Sequence, residues 1–131
     1  MRAHAARALG AQGRPELAAL VATLLPDEQW WVRGAAKHAL EQLGPEATRY
    51  VVPYLESADE FARNGAAEVL QNTGVTDRLA SELVDHPESQ PERRLLRSIV
   101  DAGGNEYEEA LIARVEPSEP RVGALLREVC P

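Results

Sequence analysis

A single cysteine, Cys130, stands in the 131 residues, so no disulfide can form within the chain, and this usage fits a reducing compartment. Aromatic side chains make up only 5% of the sequence, too few to fill a core with rings. No apolar run approaches the roughly 18 residues of a membrane span. The opening MRAHAARALG has neither the apolar stretch nor the cleavage site of a secretory leader. Positive charge is also scarce: 14 Lys and Arg against 21 Asp and Glu leave a net charge of −7. A chain this acidic is a poor non-specific ligand for nucleic acid, because such binding needs cations that displace phosphate counterions. The strict apolar–polar alternation of a strand is missing too. What remains is a soluble helical protein, expected in the cytoplasm, with no nucleic-acid partner and no membrane contact by this segment.

The chain has instead a hydrophobic content of 44%, much of it alanine, whose small side chain lets helices approach closely. It also repeats itself. VRGAAKHALEQLG (32–44) aligns with ARNGAAEVLQNTG (62–74), with ERRLLRSIVDAGG (92–104), with the start MRAHAARALGAQG (1–13) and with the end VGALLREVCP (122–131). Arg2, Arg33, Arg63 and Arg93 are separated by 31, 30 and 30 residues, and Gly13, Gly44, Gly74 and Gly104 by the same steps. A fixed arginine and a fixed closing glycine at one period mark a repeat protein.

Each unit reads as two helices. In 32–44 the apolar residues Val32, Ala35, Ala36, Ala39, Leu40 and Leu43 form the one-sided stripe of an amphipathic helix, and the closing glycine suits a left-handed C-terminal cap. First helices are expected at about 15–25, 45–56, 76–85 and 106–115. Pro15 and Pro45 introduce the first two, and Thr76 and Asn105 (with Glu108) cap the others. They end in the polar turns PDEQ, SADE, DHPESQ and EPSEP. Ser57 with Glu60, and Ser89 with Glu92, have capping-box spacing and launch the next second helix. Pro53 should kink its helix. The expectation is all-α, about nine helices, in a half repeat at 1–13 and units at 14–44, 45–74, 75–104 and 105–131. An array that opens on half a unit suggests a fragment of a longer chain.

The unit LVATLLPDEQWWVRGAAKHALEQLG resembles a HEAT repeat, in particular the short bacterial HEAT-like type also found in phycobilin lyase subunits. The residues that carry the likeness are Leu20 to Leu25, Asp27, Val32-Arg33, Ala35-Ala36, Ala39-Leu40 and Leu43-Gly44. The likeness is strongest over 15–74. It weakens where Gly123 replaces the arginine and where the turn at 86–90 lacks an aspartate. The period is shorter than the about 40–47 residues of longer HEAT and armadillo units. The resemblance implies an α-α superhelix, a right-handed solenoid whose second helices line the concave face. It also implies that Arg33, Arg63 and Arg93, with Asp27, act structurally between adjacent repeats, bonding turn carboxylates or helix-end carbonyls.

His4, His38 and His86 fall at different repeat positions, and no His, Cys and carboxylate set has metal-ligand spacing. Cys130 has no partner for nucleophilic chemistry, and DAGGN (101–105) lacks the lysine and strand of a phosphate loop. No catalytic, cofactor or metal residue is therefore assigned. Trp31 aligns with Phe61, Pro91 and Arg121 and is expected to pack at the helix start. Trp30 aligns with Glu60 and Gln90 at wet positions, where it would be a binding anchor. Offsets of +1, +4, +5 and +8 from the arginine are expected to point outward. The +4 row reads Ala6, Lys37, Ala67, Arg97 and Arg127, and the +1 row adds Asn64 and Arg94. Lys37, Arg97 and Arg127, with Asn64, Arg94 and Trp30, thus form the candidate partner-binding face. The functional expectation is a non-enzymatic scaffold that binds another protein or another domain of its parent chain. The alternative is a HEAT-like enzyme, a cofactor-handling subunit or an accessory domain of a larger enzyme. A glycosylase-type activity would need a cationic concave face with a catalytic carboxylate, and a lyase a tetrapyrrole-sized pocket.

Overall fold

The computed structural model describes residues 2–104 and, beyond them, 109, 110, 112, 113, 121, 124, 127 and 128. Segments rich in alanine and leucine with the helical apolar stripe coil as α1 (Arg2–Ala11), α2 (Ala18–Ala22), α3 (Trp30–Leu43), α4 (Glu60–Asn72), α5 (Val75–Asp85) and α6 (Gln90–Gly103). Three 3-10 segments, Pro15–Leu17, Pro45–Tyr50 and Val52–Glu56, complete the order, and no strand occurs among the described residues. The described residues are all-helical, as the periodicity predicts.

The count of about nine regular helices needs correcting, because two of the first helices are not continuous α-helix. The segment at 15–25 is a 3-10 turn followed by the short α2. The segment at 45–56 is wound entirely as 3-10, with bonds from the Val51 N–H to the Thr48 carbonyl (2.9 Å) and from the Tyr54 N–H to the Val51 carbonyl (2.9 Å). Pro53 accounts for the interruption between the two 3-10 segments: it has no N–H to donate to the carbonyls behind it. The chain breaks at Val51 and Pro53 becomes an early residue of a new segment, so the expected kink is a change of helix type. The helix at 106–115 falls largely outside the described residues, as do Asn105, Glu108, Gly123 and Cys130.

Helix ends follow local chemistry. Gly13, Gly44, Gly74 and Gly104 all have positive φ, between 66° and 87°, a conformation in which a Cβ would clash. The capping residue of α4 is Asp59, whose Oδ1 accepts from the Ala62 N–H at 2.9 Å. Ser57 acts one step earlier, accepting from the Asp59 N–H. At α6 the cap is Ser89, and its hydroxyl donates to the Glu92 carboxylate. Thr76 is not a cap: α5 starts a residue earlier, after Gly74, and Thr76 is buried in its first turn.

The second helices α1, α3, α4 and α6 pack in sequence order, each against its neighbours, while the shorter first helices lie against them as another layer. Leu25, Leu40, Leu70, Leu83 and Leu96 are completely enclosed between the two layers, each contributing about 1.5–3 kcal/mol by leaving water. Spacing within the second-helix layer is uneven, because α3 lies closer to α1 than to α4. Ala3 and Ala6 meet Val32 and Ala35, and Gly10 comes so near that an added Cβ would sit 2.8 Å from Ala39. Between α3 and α4 longer side chains meet, Arg33 with Phe61 and Lys37 with Glu68.

Candidate partner-binding groove

The site begins in the turn before α3. The Gln29 N–H donates to Asp27 Oδ1 at 2.9 Å, and Arg33 Nη1 donates to the Asp27 carbonyl oxygen at 2.8 Å. The same latch recurs, from Arg63 Nη1 to the Ser57 carbonyl at 2.8 Å and from Arg93 Nε to the Pro87 carbonyl. Each arginine thus bonds a carbonyl six residues back, inside its own unit. Arg33 and Arg93 also reach the next unit, and Arg2 joins the first unit to the second. The Arg33 guanidinium lies 3.9 Å over the ring of Phe61, Arg2 Nε donates to Asp27 Oδ2 at 2.7 Å, and Arg93 Nη2 reaches Glu128 Oε1 at 3.0 Å. The Gln29 N–H foremost holds the Asp27 carboxyl below its ordinary range. Its partial burial works the other way, and the Arg2 hydrogen bond and the charges of Arg2 and Arg33 add to the lowering.

From this turn the chain enters α3 with Trp30, and a groove of about 290 Å³ opens between α3 and α4. Trp30 and Phe61 line it together with Leu25, and Arg33, Lys37, Asn64 and Glu68 supply its polar groups. Gly34 and Gly65 line it without side chains. A Cβ at Gly34 would meet no atom within 4 Å, whereas one at Gly65 would press on Leu25 Cδ2 at 3.3 Å and touch the Lys37 stem at 3.5 Å. Lys37 Nζ crosses from α3 to α4 and binds Glu68 Oε2 at 2.9 Å.

Three of the residues singled out in the sequence, Trp30, Lys37 and Asn64, therefore share this groove. Arg94, Arg97 and Arg127 do not line it. Arg94 and Arg127 are exposed elsewhere, and Arg97 faces Asp101 on its own helix at 3.7 Å. The +4 row does not face outward throughout: Ala6 and Ala67 are fully buried and Lys37 is half-buried, whereas Arg97 and Arg127 are exposed. Four residues advance a helix by a full turn plus about 40°, so on α1 and α4 this row stays on the flank where the neighbouring helix packs. The +1 positions, about 100° round, are exposed on α3, α4 and α6 at Gly34, Asn64 and Arg94, whereas Ala3 on α1 is buried.

Trp31 does not pack at the helix start either, being 48% exposed. The core stripe begins at Val32, and a residue one step earlier points about 100° away from it. Phe61, in the equivalent position, is 54% exposed, and Trp30 is 72% exposed. The two indoles meet edge to face, with centroids 5.9 Å apart. Phe61 and the glycines are among the groove residues that sequence reasoning missed. Their signal was present in the register of Phe61 under Trp31 and in glycines placed mid-helix, where alanine is favoured. Among the described residues no three His, Cys, Asp or Glu side chains converge on a metal-sized site, and no helix is long and apolar enough to cross a membrane.

Comparison with curated proteins finds no match, and comparison with solved structures finds none. A family model described as HEAT repeats matches residues 1–75, the stretch holding α1 to α4 and the groove. With its paired helices, its latching arginines and this match over more than half its length, the chain belongs to the HEAT repeat family.

Proposed function

We propose that this chain is a non-enzymatic protein-binding module, and that the groove between α3 and α4 receives a segment of another protein or of another domain of its own polypeptide. One observation carries this reading. The chain has two tryptophans and one phenylalanine, and all three are about half exposed or more, clustered at one end of α3 and α4. Large aromatic rings are the side chains a fold most readily uses for its core, and their collection at a surface groove is the arrangement of binding anchors.

Gly34 supports the same reading. An exposed glycine inside a helix costs about 1 kcal/mol relative to alanine, and at this site no packing contact requires it. What it does is keep the groove open. The groove is also just below the roughly 300–1,000 Å³ of small-molecule sites, which suits a few side chains better than a tetrapyrrole-sized cofactor. Repetition of the 30-residue step would extend the stack as a right-handed superhelix, and that short step supports the phycobilin-lyase type of HEAT unit as the nearest kind. No cofactor and no catalytic residue forms part of the proposal.

The test is a photo-crosslinking amino acid at position 30, compared with the same amino acid at position 7, which is exposed on α1. A discrete protein adduct from position 30 that is missing from position 7 is the expected result. No adduct at 30, or the same adducts from both, would overturn the assignment.

A further inference from the structure

We propose that the segment bound in the α3–α4 groove is a basic peptide, with a lysine or arginine side chain on the Trp30 indole and an apolar side chain within a residue or two of it. The inference rests on the protein-binding reading above and names the chemistry of the partner.

The charges around the groove point to it. Lys37 and Glu68 compensate each other across the groove. In the turn before α3, Arg2 binds the Asp27 carboxylate and Arg33 its carbonyl, which leaves one positive charge over. Against it stand Glu28 in the same turn and Asp59 and Glu60 at the start of α4. The balance at this end of the two helices is therefore negative, as it is for the whole chain at −7. Arg63 does not alter this, because it turns to a hollow between α4 and α6 that Glu56 also lines. Asp59 is occupied in capping α4. Glu28 and Glu60 are exposed and have no hydrogen-bond or ion-pair partner among the described residues.

Register places both of these carboxylates near Trp30. Glu28 precedes it by two residues. Lys37 with Glu68, and Glu41 with Asn72, join α3 to α4 in steps of 31. The same step sets Trp30 level with Phe61, next to Glu60. Glu60 is also one turn before Asn64, in the row of α4 that lines the groove. A cation held here would meet the indole face, the best aromatic partner for positive charge, with carboxylates at its rim. The chain already uses this chemistry internally, where the Arg33 guanidinium stacks on Phe61, whereas Trp30 is left 72% exposed. Trp31, edge to face with Trp30, then offers apolar surface to the neighbouring side chain of the same peptide. An acidic segment would instead face Glu28 and Glu60 with like charge.

A phage-displayed library of random peptides, panned on the purified chain, tests this without a known partner. The best enriched sequence is synthesised with a fluorescent label, along with a form whose Lys or Arg is replaced by Gln. Both are titrated by anisotropy into wild type, Trp30→Ala and the double variant Glu28→Gln, Glu60→Gln. The three substituted side chains are exposed, and circular dichroism checks that each variant stays helical. The expected result is enrichment of a lysine or arginine beside Leu, Phe or Trp. Affinity should fall about tenfold when that cation is lost and about threefold in the double variant, and it should fall in Trp30→Ala as well. Enriched peptides that depend on Trp30 but carry no cation, bind as well without it, or bind the double variant like wild type would overturn the basic assignment while leaving the groove as the binding site. No enriched sequence, or peptides that bind Trp30→Ala like wild type, would overturn the groove itself. A dimer in sedimentation that dissociates in Trp30→Ala would make a second copy the occupant and overturn the peptide assignment.

Discussion

Arg63 Nη1 lies 2.8 Å from the carbonyl oxygen of Ser57, closing the turn between the two helices of its unit with a hydrogen bond from a charged donor. Arg33 and Arg93 close their turns the same way onto Asp27 and Pro87. The bond is partly buried, and alanine at 63 would remove the charged donor from this carbonyl. Arg63→Ala is expected to lower stability by about 1.5–3 kcal/mol, seen as a lower urea midpoint with an unchanged slope. Binding in the α3–α4 groove should survive, because Arg63 does not line it. A variant as stable as wild type that no longer binds would reverse these roles.

Acid should weaken the protein partly through Asp27. Its carboxyl is held below the ordinary range by the Gln29 N–H foremost, with Arg2 and Arg33 assisting. The contribution is therefore complete above the unfolded aspartate value of about 3.9 and is lost as pH falls through the lower folded value. Glu16 and Glu92 are shifted in the same direction, so Asp27→Asn should remove only part of the acid dependence. Urea midpoints of wild type and Asp27→Asn should differ at neutral pH and converge below about pH 4. A gap that persists unchanged into acid would show that the charge of Asp27 contributes nothing.

Gly34 should trade stability for binding. Nothing lies within 4 Å of a Cβ built there, so Gly34→Ala gains helix propensity with no clash. Thermal unfolding should show a stabilisation of about 0.5–1 kcal/mol. Gly34 lines the groove, so a ligand held there should bind the variant with its added methyl group more weakly. A stabilised variant with undiminished binding would separate Gly34 from the site.

How much of this was legible in the sequence follows from what each signal measures. The recurring arginine and glycine gave the repeat, because both meet backbone demands inside one unit: a carbonyl to satisfy six residues back and a positive φ to adopt. The stripe from Val32 to Leu43 gave the buried face of α3 residue by residue. The interruption at Val51 could have been foreseen from Pro53 by asking where its missing N–H was needed. The +4 row is expected to face outward throughout, and Ala6 and Ala67 depart from that for a different reason. A helical wheel gives an angle but not how near the next helix lies, and Ala6 and Ala67 are buried because the neighbour packs on that flank. Similarly, the pairing of Lys37 with Glu68 joins residues 31 apart on separate helices, a relation fixed only by stacking.

The tryptophans provide a direct readout of the groove. Trp30 and Trp31 are 72% and 48% exposed, so the free protein should fluoresce like tryptophan in water and be readily quenched by acrylamide. Binding should shift the emission to the blue and protect Trp30. Emission already blue-shifted in the free protein would mean that the rings are covered by something other than a partner.

The central claim is that the partner lies between α3 and α4, and amide chemical-shift mapping tests it most directly. Labelled protein is titrated with the peptide selected by panning, and the backbone signals and the two indole N–H signals are followed together. The account requires the largest changes at the Trp30 indole and at the Gly34, Asn64 and Gly65 amides, with Arg94 and Arg97 on α6 nearly still. Changes centred on Arg94 and Arg97, with Trp30 and Gly34 unmoved, would contradict it.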